Sequence, residues 1–339
     1  GSLDTATRIR LESTAAGLDR RSAALVPTWL NMLQSLECES DGNFVDWFSV
    51  ARGSGRVIDV GLRRHWLDPT LPFADLVLKP AHGVVITSAT LRDRNPETEA
   101  GETLRDWQSA EVRTGVTHLV LPVERATFES PFDYAQQTRV FVVTDVKKSD
   151  NKAVAGAYRA LFQASGGGGL GLFTAVHRLR RVYDNIAADL EKSGIELLAQ
   201  HIDPMDTGTL VDIFRAEPNS CLLGTDAVRD GVDVPGDSLR LIVFDRVPWP
   251  RPDILHKARR DQFGGRNYDD LITRLRLKQA FGRLIRRSSD RGAFVMLDAA
   301  LPSRLCTAFP DSVDVRRLGL SEAVSEIAAF LSQRPTEQF

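Results

Sequence analysis

Gln279, Arg283 and Arg286 stand four and three residues apart in Gln279-Ala280-Phe281-Gly282-Arg283-Leu284-Ile285-Arg286-Arg287, with Arg276 just before them. On one continuous helix that spacing predicts a shared polar face, with Leu277, Phe281, Leu284 and Ile285 on the buried side. Clustered guanidinium groups repel one another in water and gain energy when a polyphosphate faces them, because each planar fork can donate two hydrogen bonds to one anion. A solvated basic face accounts for the same pattern at this level. Gly282 costs about 1 kcal/mol in a helix interior relative to alanine, so a packing or close-approach reason is expected for it. Two further segments follow short apolar runs: Ser88-Ala89-Thr90 and Thr225-Asp226. The hydroxyls of Ser88 and Thr90 can relay hydrogen bonds, or simply cap a strand end. Beyond Thr225, the loop Arg229–Gly236 brackets Gly231 with Asp230 and Asp233, which suits a polar ligand, an arginine, or only a turn. In open parallel sheets ligands bind beyond the carboxyl ends of the strands, and all three segments are expected there. The glycine run Ser165–Gly169 precedes its strand and lacks the Lys-Ser/Thr of a phosphate loop, so it reads as a flexible turn.

The elements that must position these residues are regular in the second half. Strands are expected at 139–144, 170–176, 195–200, 221–224, 239–244 and 293–297, with helices at 151–163, 177–193, 207–216, 253–287 and 320–332. That alternation predicts an α/β fold with a parallel sheet covered on both faces. The first 136 residues are less regular. One or two amphipathic helices are expected over 3–37, short strands at 46–50 and 56–60, a helix at 71–79, and a buried strand at 84–87. The polar stretch 92–116 reads as a linker or mobile loop.

The 339 residues carry a formal charge of −2, and only seven of the 43 basic residues are Lys. Net charge therefore predicts no gross attraction to nucleic acid, and any anion site must be a local arginine cluster. No run of about 18 apolar residues is present, so no transmembrane helix is expected. Three scattered cysteines, Cys38, Cys221 and Cys306, can build neither a disulfide framework nor a four-cysteine metal site. No His spacing of the metalloprotease kind occurs, and no metal site is expected within the chain. These features predict a soluble, cytoplasmic, monomeric protein. The opening Gly1-Ser2, without Met, fits a cleavage scar and an excised fragment.

Taken in order, the segments resemble the motifs of superfamily 2 helicases of the DinG/XPD type. Val85–Leu91 resembles that family's "SATL" motif III, and Ser130-Pro131-Phe132 its "SPF" element. Leu172-Phe173-Thr174-Ala175 resembles motif IV, although Ala175-Val176 stands where Ser-Tyr is usual. Gly224–Gly236 resembles motif V, with Asp230 where Glu is common, and Gln279-x-x-Gly282-Arg283-x-Ile285-Arg286 fits motif VI. The 339 residues contain neither a G-x-x-x-x-G-K-[ST] loop nor an Asp-Glu dipeptide.

The resemblance therefore implies the C-terminal part of such an enzyme. It implies a helical arch remnant at 1–45, the last strands of a first motor domain at 46–95, a connector at 96–136, and a RecA-like second motor domain at 137–339. ATP, with Mg²⁺, would be shared with the first motor domain, and single-stranded DNA would be the track. By the same resemblance Arg283 and Arg286 are catalytic, and Gln279, Gly282, Gly231 and Asp233 belong to the nucleotide site. Ser88 and Thr90 couple the sites, and Thr174, Thr225 and Trp249 contact nucleic acid. The fragment alone is expected to be inactive as an ATPase. The alternative is a non-catalytic nucleic-acid-binding or regulatory module that kept a helicase fold.

Overall fold

The computed structural model describes residues 4–38, 41–93, 103–120, 122–226, 228 and 234–333; the expected site residues Gly231 and Asp233 lie outside them. Helices α1 (Thr5–Arg20) and α2 (Val26–Ser35) run through one π-turn at Arg21–Leu25. Asp4 starts α1 by accepting the Thr7 N–H, and Pro27, which has no N–H to donate, sits directly after the π-turn in the first turn of α2. Strands β1 (Phe44–Gly53) and β2 (Arg56–Trp66) form an antiparallel hairpin, so the two expected strands pair with each other. Ser54 and Gly55 turn it with φ of 50° and 80°, the left-handed pair that matches strand twist. Arg64 ties β2 to β1 through two bonds to Asp46 (2.8 and 2.6 Å) and to α2 through one to the Ser35 hydroxyl (2.6 Å).

Three expectations for the first half need correction. The run 84–87 forms no ladder, and Val85 is 92% exposed. An apolar run becomes a buried strand only between neighbours that supply its hydrogen bonds, and among the described residues none lies beside it. The polar stretch 92–116 contains a helix, α3 (Thr103–Thr114). α3 has few apolar residues; it is held by the Asp106–Arg92 ion pair (2.8 Å) and burial of Ala110. At 71–79 the chain is a short α-turn followed by a π-turn, Ala74–Leu78, rather than one regular helix.

From residue 138 the chain alternates as expected. It runs β3 (Thr138–Val143), α4 (Asn151–Ser165), β4 (Gly169–Leu172), α5 (Val176–Lys192), β5 (Glu196–Ala199), α6 (Thr207–Ala216), β6 (Ser220–Gly224) and β7 (Leu241–Phe244). Then follow α7 (Ile254–Gln262), α8 (Arg266–Phe281), β8 (Gly292–Met296), β9 (Val315–Leu318) and α9 (Leu320–Ser332). The seven strands form one sheet in the order β5-β6-β4-β7-β8-β3-β9, and every pair is parallel. Alternate residues face opposite sides. Val140, Leu222, Ile242 and Phe294 pack under α6 and α8, while Phe141, Leu223, Val243 and Val295 pack under α4, α5 and α9. Asp150 and Asp206 start α4 and α6 by accepting two N–H groups each.

The glycine run is a pinned turn rather than a flexible one. Gly166, Gly167 and Gly168 all take positive φ (65°, 103° and 59°), and a Cβ on Gly167 would stand 2.7 Å from the Pro218 carbonyl oxygen. Arg240 clamps it, donating to the carbonyls of Ser165 (2.8 Å), Gly166 (2.7 Å) and Asp237 (2.7 Å). The turn enters β4 at its amino end, away from the strand ends where ligands bind.

Cys221 is fully buried in β6, and burial pushes its thiol up to about 12, whereas Cys38 is exposed. Since the thiolate is the nucleophile, iodoacetamide at about pH 8 should alkylate Cys38 in the folded protein and leave Cys221 intact until denaturant is added. Peptide mapping that finds Cys221 modified at the Cys38 rate would contradict this core.

Candidate nucleotide and nucleic-acid site

The expected single helix over 253–287 is two helices and a loop. α7 and α8 are separated by Phe263-Gly264-Gly265, and α8 stops at Phe281. Gln279 therefore lies on α8, Gly282 caps it, and Arg283 and Arg286 stand on the loop that leads into β8; the three do not share a helical face. Gly282 ends the helix with an ordinary φ of −63°, its N–H still bonded to Lys278 O (2.9 Å). Beyond it, buried Asp290 folds the chain back by accepting the N–H groups of Arg286 and Arg287, both at 2.8 Å. Hydrogen bonds donated by consecutive amides to one carboxylate stabilise such a turn, and it relieves the row of like charges that a continued helix would carry. Arg286 is exposed and Arg283 half-buried.

The loop's position differs from expectation too. It precedes β8, so Arg283 and Arg286 lie at the amino edge of the sheet. The end of the motif V segment comes near the same loop: a Cβ on Gly236, which precedes β7, would stand 3.9 Å from the Arg287 guanidinium.

Thr174, Thr225 and Trp249 gather at the opposite, carboxyl edge. Thr174 and Thr225 follow the paired strands β4 and β6, where Leu172 is registered with Gly224. The Thr225 N–H and hydroxyl both bond to the Gln200 side-chain oxygen, at 3.0 and 2.8 Å. Asp245, just after β7, accepts the Thr174 N–H (3.2 Å) and pairs with buried Arg178 at 2.6 Å. Its own complete burial raises the Asp245 pKa above the usual carboxylate range, Arg178 opposing. Trp249 is 40% exposed, its carbonyl and that of Pro248 held by Arg276 (3.1 and 2.9 Å). Arg251 bonds the Thr174 carbonyl (3.5 Å) and Arg246 the Lys148 carbonyl (3.3 Å), which adds cations to this edge. Sequence reasoning missed Arg246, Arg251 and Gln200, since no motif spacing marks them.

Ser88 and Thr90 bond each other's hydroxyls at 3.1 Å. They reach α8 through the residues just after them. Asp93 and Arg274, both buried and 181 positions apart, form a two-pronged ion pair of 2.6 and 3.1 Å. Lys278 donates to the Arg92 carbonyl (2.9 Å), and Arg113 to those of Thr90 and Leu91 (3.3 and 2.8 Å). Burial pulls the Lys278 ammonium below its ordinary range; Asp93 opposes this, and Arg274, Arg113 and Arg92 reinforce it. α8 thus touches the Trp249 loop through Arg276, the Ser88–Asp93 segment through Arg274 and Lys278, and the arginine loop at its end. A cleft of about 560 Å³ beside it, walled by Arg113, Arg259, Phe263 and Tyr268, contains none of the sequence-predicted site residues.

Among the described residues no three His, Cys, Asp or Glu side chains converge on a point that could hold a metal ion. Nor is any described helix long and apolar enough to cross a membrane.

Residues 158–314 match the model of the family described as "Helicase C-terminal domain". This chain carries a helicase C-terminal domain of the DinG/XPD type. Its seven-stranded parallel sheet, flanked by helices, is the α/β architecture expected from the sequence. The chain is 28% identical over 294 residues to the 3'-5' exonuclease DinG of Bacillus subtilis, covering 82% of this chain and 30% of that protein. It is 35% identical over 191 residues to the ATP-dependent helicase DinG of Mycobacterium tuberculosis, covering 53% of this chain and 27% of that one. A solved XPD helicase superposes with a TM-score of 0.41 at 17% identity, over 53% of this chain and 35% of that one. The chain thus spans less than a third of the length of these two DinG relatives.

Proposed function

We propose that this helicase C-terminal domain is the second motor half of an ATP-dependent DNA helicase that couples ATP hydrolysis to translocation on single-stranded DNA and duplex unwinding. The observation that carries the reading is α8. One rigid helix joins the arginine loop, the Ser88–Asp93 segment and the Trp249 loop, so a movement at any of them is felt at the others. In this reading Arg283 and Arg286 reach a triphosphate bound mainly by a first motor domain and stabilise charge developing on its γ-phosphate. Gln279 orients them, and Gly282 ends the helix so that the loop can approach. Gly231 and Asp233 couple nucleotide state to grip on DNA, with Ser88 and Thr90 as the relay. Thr174 and Thr225 hold the phosphate backbone, and Trp249 stacks on a base, a mode that tolerates any sequence.

The chain by itself should show no ATP turnover above background, with or without single-stranded DNA, in a phosphate-release assay. A full-length enzyme containing it should show DNA-stimulated turnover. Hydrolysis by the isolated chain at a helicase rate would sink the reading of it as a half-site.

Trp249→Ala in the full-length enzyme should weaken binding of a labelled oligothymidine by about 1–3 kcal/mol, roughly five- to 150-fold in Kd. Fluorescence anisotropy reads this directly. An unchanged Kd assigns Trp249 to loop packing instead.

A further inference from the structure

The arginine loop is held from a direction that none of its own residues indicates. Gln137 is the last residue of a short helical turn (Tyr134–Gln137) that follows the Ser130-Pro131-Phe132 element and leads straight into β3. Its side chain is buried, and its amide nitrogen faces three carbonyl oxygens of the loop: Arg287 at 3.1 Å, Ser288 at 3.0 Å and Asp290 at 3.0 Å. An amide nitrogen carries two hydrogens, so all three acceptors share them, and only the nitrogen end of the side chain can face such a cluster. Asp290 meanwhile satisfies the loop's N–H groups at Arg286 and Arg287. Three residues before Gln137, Tyr134 packs on Phe281, the last residue of α8, with ring centroids 5.9 Å apart. The incoming chain therefore grips the arginine segment on both sides, at Phe281 before it and at 287–290 after it.

We propose that Gln137 is a positioning residue for the arginine pair: its carboxamide fixes the loop so that Arg283 and Arg286 are presented at a set angle by the chain segment that enters the domain. The proposal rests on the reading of Arg283 and Arg286 given above. Charge stabilisation of a transferring phosphoryl group depends on sub-ångström placement, and a displacement of about 1 Å caused from outside the site can cost about a hundredfold in rate. A connector that moves with the first motor domain would then alter the arginines directly. No signal has to cross the sheet.

Gln137→Met keeps the volume and removes both donors. In this chain, hydrogen exchange of the Arg286 and Arg287 amides should accelerate about tenfold or more, while Val142 and Val295 in the core strands keep their protection. In a full-length enzyme the same substitution should lower kcat for ATP about a hundredfold with KM changed less than about threefold. Added to Arg286→Ala it should cost clearly less than its own hundredfold, because the two changes act in part through one group and only Arg283 is left to be misplaced. Gln137→Asn, a shorter donor that is gentler on folding, should give intermediate effects on both readouts. Unchanged exchange at Arg286 and Arg287 overturns the clamp. A loosened loop with normal kcat, or a loss that multiplies with that of Arg286→Ala, overturns the positioning role. If Arg286→Ala alone leaves turnover intact, the finger reading fails instead, and the exchange result then decides the clamp by itself.

Discussion

Replacing Arg286 by alanine in a full-length enzyme containing this chain should lower ATP turnover by about three orders of magnitude or more while leaving nucleotide affinity nearly unchanged. An arginine that meets charge formed only in the transition state contributes to kcat and little to ground-state binding. Arg286 is the cleaner of the two probes. Its backbone N–H, which any residue retains, makes the bond to Asp290, and its side chain is exposed, so alanine removes the guanidinium without opening the core. Arg283 is half-buried beside Leu284 and Ile285, so its removal would mix packing with chemistry. Arg286→Lys should recover only a minor part of the rate, since an ammonium is a point charge without the planar fork. Steady-state kcat, with a fluorescent nucleotide titration for affinity, checks all three statements. Turnover within a factor of three of the parent would remove Arg286 from the chemistry.

The strands of the second half were legible because strands buried on both faces read as unbroken apolar runs, as at Val140–Val143 and Leu241–Phe244. The arginine loop was legible in its residue types but not in its shape. Spacing of four and three fits a helix, and nothing local to Gln279–Arg287 reveals that Asp290 and Gln137 fold the chain away after Gly282. Asp290, three and four residues on, leaves no mark in the apolar periodicity, and Gln137 lies about 150 residues upstream. The same holds for Val84–Thr87, whose composition describes a strand but whose ladder depends on neighbours, and for the Gly166–Gly168 turn, stiffened by the distant Arg240. Thr225 could be placed at the carboxyl edge from the strand expected at 221–224, whereas Thr174 and Trp249 came only with the family resemblance. The cations that join them, Arg246 and Arg251, arrive on a loop with no repeating pattern.

Asp93→Ala should destabilise the chain by about 3–5 kcal/mol, the cost of leaving one charge of a buried pair uncompensated. Asp93 and Arg274 are 4% and 6% exposed, and the two-pronged contact satisfies both carboxylate oxygens. With the carboxylate gone, Arg274 keeps its charge at any accessible pH in a largely buried position. Lys278 suffers as well. Asp93 is what opposes the burial that lowers its pKa, so in the variant that pKa falls further. A base depressed in the folded state costs stability below its folded pKa, and the cost fades as pH rises toward the unfolded value of about 10.4. The deficit of Asp93→Ala should therefore be larger at pH 7 than at pH 10, which urea unfolding at the two pH values measures. Asp93→Leu combined with Arg274→Met should regain most of the loss, because removing both charges removes the desolvation penalty along with the attraction. A single Asp93→Ala change costing less than about 1 kcal/mol would mean that the pair is solvated and that the Ser88–Asp93 segment is not fastened to α8. The double variant separates stability from coupling: it should fold, yet in a full-length enzyme it should uncouple DNA-stimulated hydrolysis from unwinding, since the segment carrying Ser88 and Thr90 would slide on an apolar contact where it now pivots on a directional one.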